Sequence, residues 1–301
     1  MISIVIPAYN EEENIPLAKA AIFSALKGEP AEIVFVDDGS KDLTWQKICE
    51  ESGENVRGIR FSRNFGKEAA IRAGLEAASG EAAVVIDCDL QHPPETINEM
   101  LKKWRGGAKV VAGKKSSRGK EAKSYGLSSK IFNALMSRST GFDMKGASDF
   151  MLLDRQAIDA VLSYKEQGSF FRALAQFVGF SYAEVEYHVA AREHGSGKWT
   201  FKKLCAYAAK NIAAFSYLPL YLSVFAGAVA SAAGLCLLVL TAAGLDLGSF
   251  GGGAAALILL CGLILCALGV IGFYLSRIYD EVKRRPKYII SDDTEKKGFE
   301  K

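Results

Sequence analysis

From residue 1 to about 200 the chain alternates short, unbroken apolar runs with amphipathic stretches. The runs Ser3–Pro7, Glu32–Val36, Val56–Phe61, Ala82–Ile86 and Lys109–Ala112 are predicted strands. Between them, Asn14–Leu26, Thr44–Glu51, Glu68–Ala78 and Thr96–Trp104 carry the three-to-four-residue spacing of helices. The strands are Val/Ile-rich without polar alternation, as in a sheet covered by helices on both faces. The pattern predicts an α/β domain over residues 1–197.

The character changes after Arg192. Lys198, Lys202, Lys203 and Lys210 are interleaved with Trp199, Phe201, Leu204, Tyr207 and Phe215. Residues 198–215 are therefore expected to form an amphipathic helix at a membrane surface, the bland alternative being a solvated helix end. No charged residue occurs from Ile212 to Leu245 or from Leu247 to Ser276. Each stretch exceeds the about 20 residues needed to cross a bilayer core. Two transmembrane helices are expected over 216–276, joined by a short external turn around Gly244–Gly253. Lysines precede the first span and Arg277, Lys283, Arg284, Arg285 and Lys287 follow the second, whereas the turn carries only Asp246. The positive-inside rule then puts the large domain, both termini and the basic tail 277–301 on the cytoplasmic side. The tail is polar from Ser291 and expected to be mobile.

Charge and composition narrow the chemistry. A net charge of +3 over 301 residues gives no electrostatic footprint for nucleic acid. The six cysteines show no CxxC spacing, which argues against a disulfide framework or a zinc site. The three histidines, His92, His188 and His194, are too scattered to form a metal cluster. Met1–Pro7 lacks the basic start of a signal peptide and reads as a buried strand.

The sharpest local signal is Val84-Val85-Ile86-Asp87-Cys88-Asp89-Leu90-Gln91. Carboxylates at i and i+2 point to one side of an extended chain. At the carboxyl end of a strand they lie where open α/β sheets bind ligands. Such a pair suits a hard divalent ion whose other positions go to phosphates and water, although an acidic turn after a strand is common. Val36-Asp37-Asp38-Gly39-Ser40 is a second acidic strand end, readable as a turn with a helix cap or as an acceptor for ribose or base. Pro7-Ala8-Tyr9-Asn10-Glu11-Glu12 is a third, where Tyr9 can stack on a base and Asn10 and Glu11 can bind its edge or cap a helix. No GxGxxG or Walker glycine fingerprint occurs in these turns, which weakens the dehydrogenase and NTPase readings.

Taken together, these three segments resemble family 2 of the inverting nucleotide-sugar glycosyltransferases. Ser62-Arg-Asn-Phe-Gly-Lys-Glu68 narrows the resemblance to the polyprenyl-phosphate glycosyltransferases, which include bactoprenol glucosyltransferases and dolichol-phosphate mannose synthase. Gly272–Tyr288 looks like the end of the two-span bactoprenol branch. The resemblance implies a GT-A (Rossmann-like) fold, a Mg²⁺ or Mn²⁺ ion and a homo-oligomer, with a tetramer among the arrangements considered. It places Pro7, Tyr9, Glu11 and Asp38 at the donor nucleotide, where the turn itself also offers Asn10, and Asp87, Asp89 and Gln91 at the metal and diphosphate. It also places Asp149 near the acceptor, where Met151 replaces an arginine usual in the family. Arg192 and Lys198 match a phosphate-contacting segment in which Gly197 stands for the usual serine. Arg118, in the loop Lys114–Lys120, reads equally as an acceptor-phosphate contact or a solvated charge.

The function implied is transfer of a hexose, glucose from UDP-glucose first, to undecaprenyl or another polyprenyl phosphate at the cytoplasmic face of a bacterial-type inner membrane. A phosphate is already ionised near neutral pH, so Asp149 is a weaker candidate for general base than for orienting a substrate. A polysaccharide or protein acceptor, or a non-catalytic nucleotide-sugar-binding protein, are the competing readings.

Overall fold

A computed structural model of the chain describes residues 1–115, 147–164, 171–188, 225–227, 229, 251–283 and 285–295. Contacts divide the chain into two units, Met1–Thr200 with Pro286–Lys301, and Phe201–Arg285.

The first unit is built on one sheet. Its strands are β1 (Ile2–Ala8), β2 (Ala31–Asp37), β3 (Val56–Phe61), β4 (Ala82–Val85), β5 (Val110–Lys115), β6 (Ala147–Asp154), β7 (Tyr182–Tyr187) and β8 (Ile290–Asp293). They lie in the order β7-β5-β6-β4-β1-β2-β3-β8. The block β4-β1-β2-β3 is parallel throughout. β6 then runs antiparallel between β4 and β5, and β8 runs antiparallel along the outer edge of β3. The helices are α1 (Asn14–Leu26), α2 (Thr44–Glu51), α3 (Lys67–Ala77), α4 (Thr96–Arg105), α5 (Arg155–Ser163) and α6 (Phe171–Phe177).

The continuous apolar runs of β1 and β2 follow from burial on both faces. Ile4, Ile6, Ile33 and Phe35 pack with Ile15, Ile22, Ile48, Ile97 and Met100 of α1, α2 and α4. One residue along, Val5 joins Ile71, Leu75, Ile158 and Leu174 of α3, α5 and α6, while Val34 and Val36 meet Ala70 and Ala73. The period of two thus divides each strand between two cores. Because the first four strands are parallel, their carboxyl ends open on one edge of the sheet, where all three acidic turns fall.

The predicted strands and helices of residues 1–112 are found with shifts of up to three residues at their ends. The tail departs from expectation. Ile290–Asp293 is a strand, and Asp293 is buried. Its polarity is explained by partners: Arg57 holds Asp293 through Nη2 at 2.8 Å, and Thr294 Oγ1 accepts from the Gly58 amide at 2.9 Å.

In the second unit, α7 (Gly251–Val282) covers 32 residues, about 48 Å at the usual helical rise. Counting described side chains alone, no helix is long and apolar enough to cross a membrane. The α7 backbone nonetheless carries no charge from Gly251 to Ser276, and Leu257, Ile264, Leu268, Ile271, Leu275 and Ile278 along it are exposed. Residues 198–215 and nearly all of the first predicted span lie outside the described residues.

Candidate active site

The turns after β1 and β2 are stitched into one shelf. The Asn10 amide donates to Ser40 Oγ at 2.9 Å, Lys41 donates back to Asn10 Oδ1 at 3.0 Å, and the Glu11 amide donates to Thr44 Oγ1 at 2.8 Å. Asn10 takes a left-handed backbone (φ 55°), which asparagine tolerates. Glu11 accepts from Asn14 Nδ2 at 2.5 Å. Pro7 lies in β1, and Tyr9 stands exposed on the shelf. Asp37 is fully buried, accepting from the Ser40 amide at 2.8 Å with Arg60 Nε 3.3 Å away.

Asp38 faces inward. Its carboxylate accepts from the backbone amides of Phe65 at 2.7 Å and Gly66 at 2.9 Å. This fixes the turn entering α3, whose first residue is Lys67. Burial pushes the Asp38 carboxyl up to about 6, against the lowering effect of those two amides. Its contribution to the shelf is thus made through the Phe65–Gly66 turn.

Lys67 links the shelf to the second cluster. Its ammonium lies 2.5 Å from Asp87 Oδ1 and 2.8 Å from Asp149 Oδ2. Asp87 follows β4, and Asp149 is in the neighbouring antiparallel strand β6. Arg172 of α6 completes the array, Nε to Asp149 Oδ1 at 2.5 Å and Nη2 to Oδ2 at 3.1 Å. Burial alone would raise the Asp149 carboxyl, but Lys67 and Arg172 hold it well below the usual carboxylate range. Glu68, beside them, accepts from the Phe171 amide at 2.9 Å, and burial followed by the Asp149 charge pushes it up to about 7. Asp89 turns its carboxylate onto the Gln91 amide at 3.2 Å, with Leu90 between them at φ 55°. His92 packs against Phe150 and Tyr187, its Nδ1 3.9 Å from Asp87 Oδ2.

Among the described residues, no three His, Cys, Asp or Glu side chains form a metal cage. The two carboxylates and the amide side chain of Asp87, Asp89 and Gln91 still fit a hard divalent ion, which leaves most positions to phosphate and water. Asp87 already takes a cation, the Lys67 ammonium, in its coordination space.

Comparison with known proteins settles the family. Residues 3–162 match the profile of glycosyl transferase family 2. The chain belongs to that family. It is similar to an uncharacterized glycosyltransferase of Synechocystis sp., at 36% identity over 97% of this chain and 95% of the relative. It is also similar to the bactoprenol glucosyl transferase of Shigella phage SfV, at 35% identity over 98% of this chain and 99% of the relative. These matches group it with the polyprenyl-phosphate branch of the family. Its fold is shared with glucosyl-3-phosphoglycerate synthase of Mycobacterium tuberculosis, solved with Mn²⁺ and UDP (TM-score 0.52, 20% identity, 71% of this chain and 77% of that one). The mixed sheet is thus the GT-A arrangement.

Of the residues singled out in this glycosyltransferase, the structure brings Asp87 and Asp149 together and places Pro7, Tyr9, Asn10 and Glu11 on the shelf beside Asp38. Arg118, Arg192 and Lys198 lie outside the described residues. Met151 of β6 is fully buried among apolar side chains, and the basic partner of Asp149 is Arg172 of α6. Lys67 and Arg172 were not singled out. Lys67 stood in the Ser62–Glu68 segment without an assigned role, whereas Arg172 follows Phe170 and Phe171 with no local motif to mark it.

Proposed function

We propose that this glycosyltransferase moves a hexose, with UDP-glucose as first-choice donor, onto a polyprenyl phosphate with inversion at the sugar. The observation that carries this reading is the Asp87–Lys67–Asp149–Arg172 array at the carboxyl edge of the sheet. The Tyr9–Glu11 shelf suits the nucleotide, and the names of the bactoprenol glucosyl transferases supply the donor sugar and lipid class. A phosphate oxygen of the acceptor attacks the anomeric carbon while the bond from that carbon to the diphosphate breaks, and the nucleoside diphosphate leaves from the opposite face. Asp149, held ionised by two cations, is a poor proton acceptor. An already ionised phosphate requires none, so Asp149 serves to orient Lys67 and Arg172. A divalent ion bound by Asp87, Asp89 and Gln91 would neutralise charge on the leaving diphosphate.

The same reading puts the enzyme at the cytoplasmic face of an inner membrane. The charge-free run and exposed apolar side chains of α7 favour a helix within lipid. Anchoring would confine enzyme and lipid to one surface and raise their effective concentration.

The test is transfer of label from a panel of nucleotide sugars into undecaprenyl phosphate in detergent, with Mn²⁺ or Mg²⁺. Labelling of lipid from one donor is expected, lost with chelator and reduced at least about a hundredfold in Asp89→Ala. Donor binding without labelled lipid would overturn the acceptor assignment.

A further inference from the structure

The chain leaves α7 at Val282 and from Pro286 returns to the catalytic unit. The returning segment does more than cover an edge. β3 would otherwise expose a row of unpaired amides and carbonyls. Instead, Thr294 donates to the Gly58 carbonyl at 2.9 Å, and Ser62 donates to the Ile289 carbonyl at 2.9 Å. Tyr288 stacks on Phe61, with ring centroids 4.8 Å apart and planes 15° from parallel, and its hydroxyl bonds Glu76 of α3. Arg57 pairs with Asp293 at 2.8 Å. Glycine at 58 permits this fit, since a Cβ there would come within 2.3 Å of Ile48 and 3.2 Å of Thr294.

These contacts lead directly to the active site. Phe61, under Tyr288, meets Phe65 edge-on at 5.7 Å. The Phe65 and Gly66 amides are the pair that Asp38 holds, and the next residue is Lys67. From β3 as well, Arg60 reaches Asp37 at 3.3 Å.

We propose that the segment Pro286–Glu295 is a positioning strap for the active site. Tyr288 acts through Phe61 and Phe65 on the turn that sets Asp38 and Lys67, while Asp293, paired with Arg57, anchors the strap to β3. The chain emerging from α7 is thereby part of the device that orders the donor site. The strap's effect on the turn is independent of which sugar is moved, and only the kinetic readout below rests on the reading under Proposed function.

The experiment is backbone hydrogen exchange on the full-length protein in detergent, comparing wild type with Tyr288→Ala, Tyr288→Phe and Asp293→Asn. Exchange at residues 62–67 is expected to quicken about tenfold in Tyr288→Ala and Asp293→Asn, with β1 unchanged. Tyr288→Phe, which keeps the stacked ring, should stay near wild type. In transfer assays Tyr288→Ala and Asp293→Asn should raise the donor KM about fivefold with kcat within about twofold. Unchanged exchange at 62–67, or an equal rise across the sheet, overturns the strap. Should Tyr288→Ala fail to fold, Asp293→Asn decides by the same criterion. A wrong donor or acceptor would appear separately, as wild type lacking transfer while the exchange pattern holds.

Discussion

Arg172 grips Asp149 at two points, Nε to Oδ1 at 2.5 Å and Nη2 to Oδ2 at 3.1 Å. With Lys67 on the same carboxylate, an acid 6% exposed carries two cationic partners. Removing one member of such a group leaves an uncompensated charge, which costs far more than the net worth of the pair. Arg172→Ala is therefore expected to lower stability by about 3 kcal/mol, and Asp149→Asn in the same chain should restore part of it. Thermal unfolding of the two single variants and the double variant measures this. In transfer assays Asp149→Asn should lower kcat while leaving the shape of the pH–rate profile unchanged. A lost basic limb would instead mark Asp149 as a proton acceptor.

How much of this was legible in the sequence depends on how local each signal was. β1 to β4 and the helices between them follow from unbroken Val/Ile runs and helical spacing, which local sequence carries in full. An acidic turn after a strand is common, so the carboxylates at Asp87 and Asp89 were legible only because two further strand-end motifs, at Tyr9–Glu12 and Asp37–Ser40, accompany them. β8 was not, because Ile290-Ser-Asp-Asp293 is polar and owes its strand to Arg57 and Gly58, more than 230 positions away. Arg172 was hidden for the same reason: only the tertiary fold shows that its partner is Asp149. Asp38 is singled out by the sequence, but its inward orientation onto Phe65 and Gly66 depends on a loop whose course the sequence does not display.

That orientation has a pH signature. Burial raises the Asp38 carboxyl from 3.8 to about 6 in the folded protein. Between these values the folded state holds a proton that the unfolded state has released, so this group's contribution to stability falls as pH rises. Asp38→Asn removes the titration. The variant loses the two-amide acceptor at every pH, but its stability relative to wild type should improve as pH is raised from 4 to 7. Parallel unfolding curves of the two proteins at those pH values provide the measurement. A difference that stays constant, or that grows more unfavourable for the variant as pH rises, would show that Asp38 stays ionised throughout.

The turn carrying Asp38 also depends on a backbone that only glycine supplies there. Gly39 sits at φ +69°, and a Cβ on it would lie 2.4 Å from the Arg63 carbonyl carbon, a backbone atom that has no rotamer to escape by. Gly28 has a similar φ of +86° but nothing within 4 Å of the added carbon. The two positions separate backbone strain from steric overlap. Gly28→Ala should cost about 1 kcal/mol, the strain of a left-handed alanine. Gly39→Ala carries that strain and must also push the Ser62–Gly66 turn away from Asp38, so it should cost at least about 3 kcal/mol and weaken donor binding as well. Melting temperatures of both variants, with donor KM measured alongside, test the comparison. Equal losses at the two sites would mean that the turn yields freely, and that its close approach to Gly39 is not what fixes Phe65 and Gly66 on the Asp38 carboxylate.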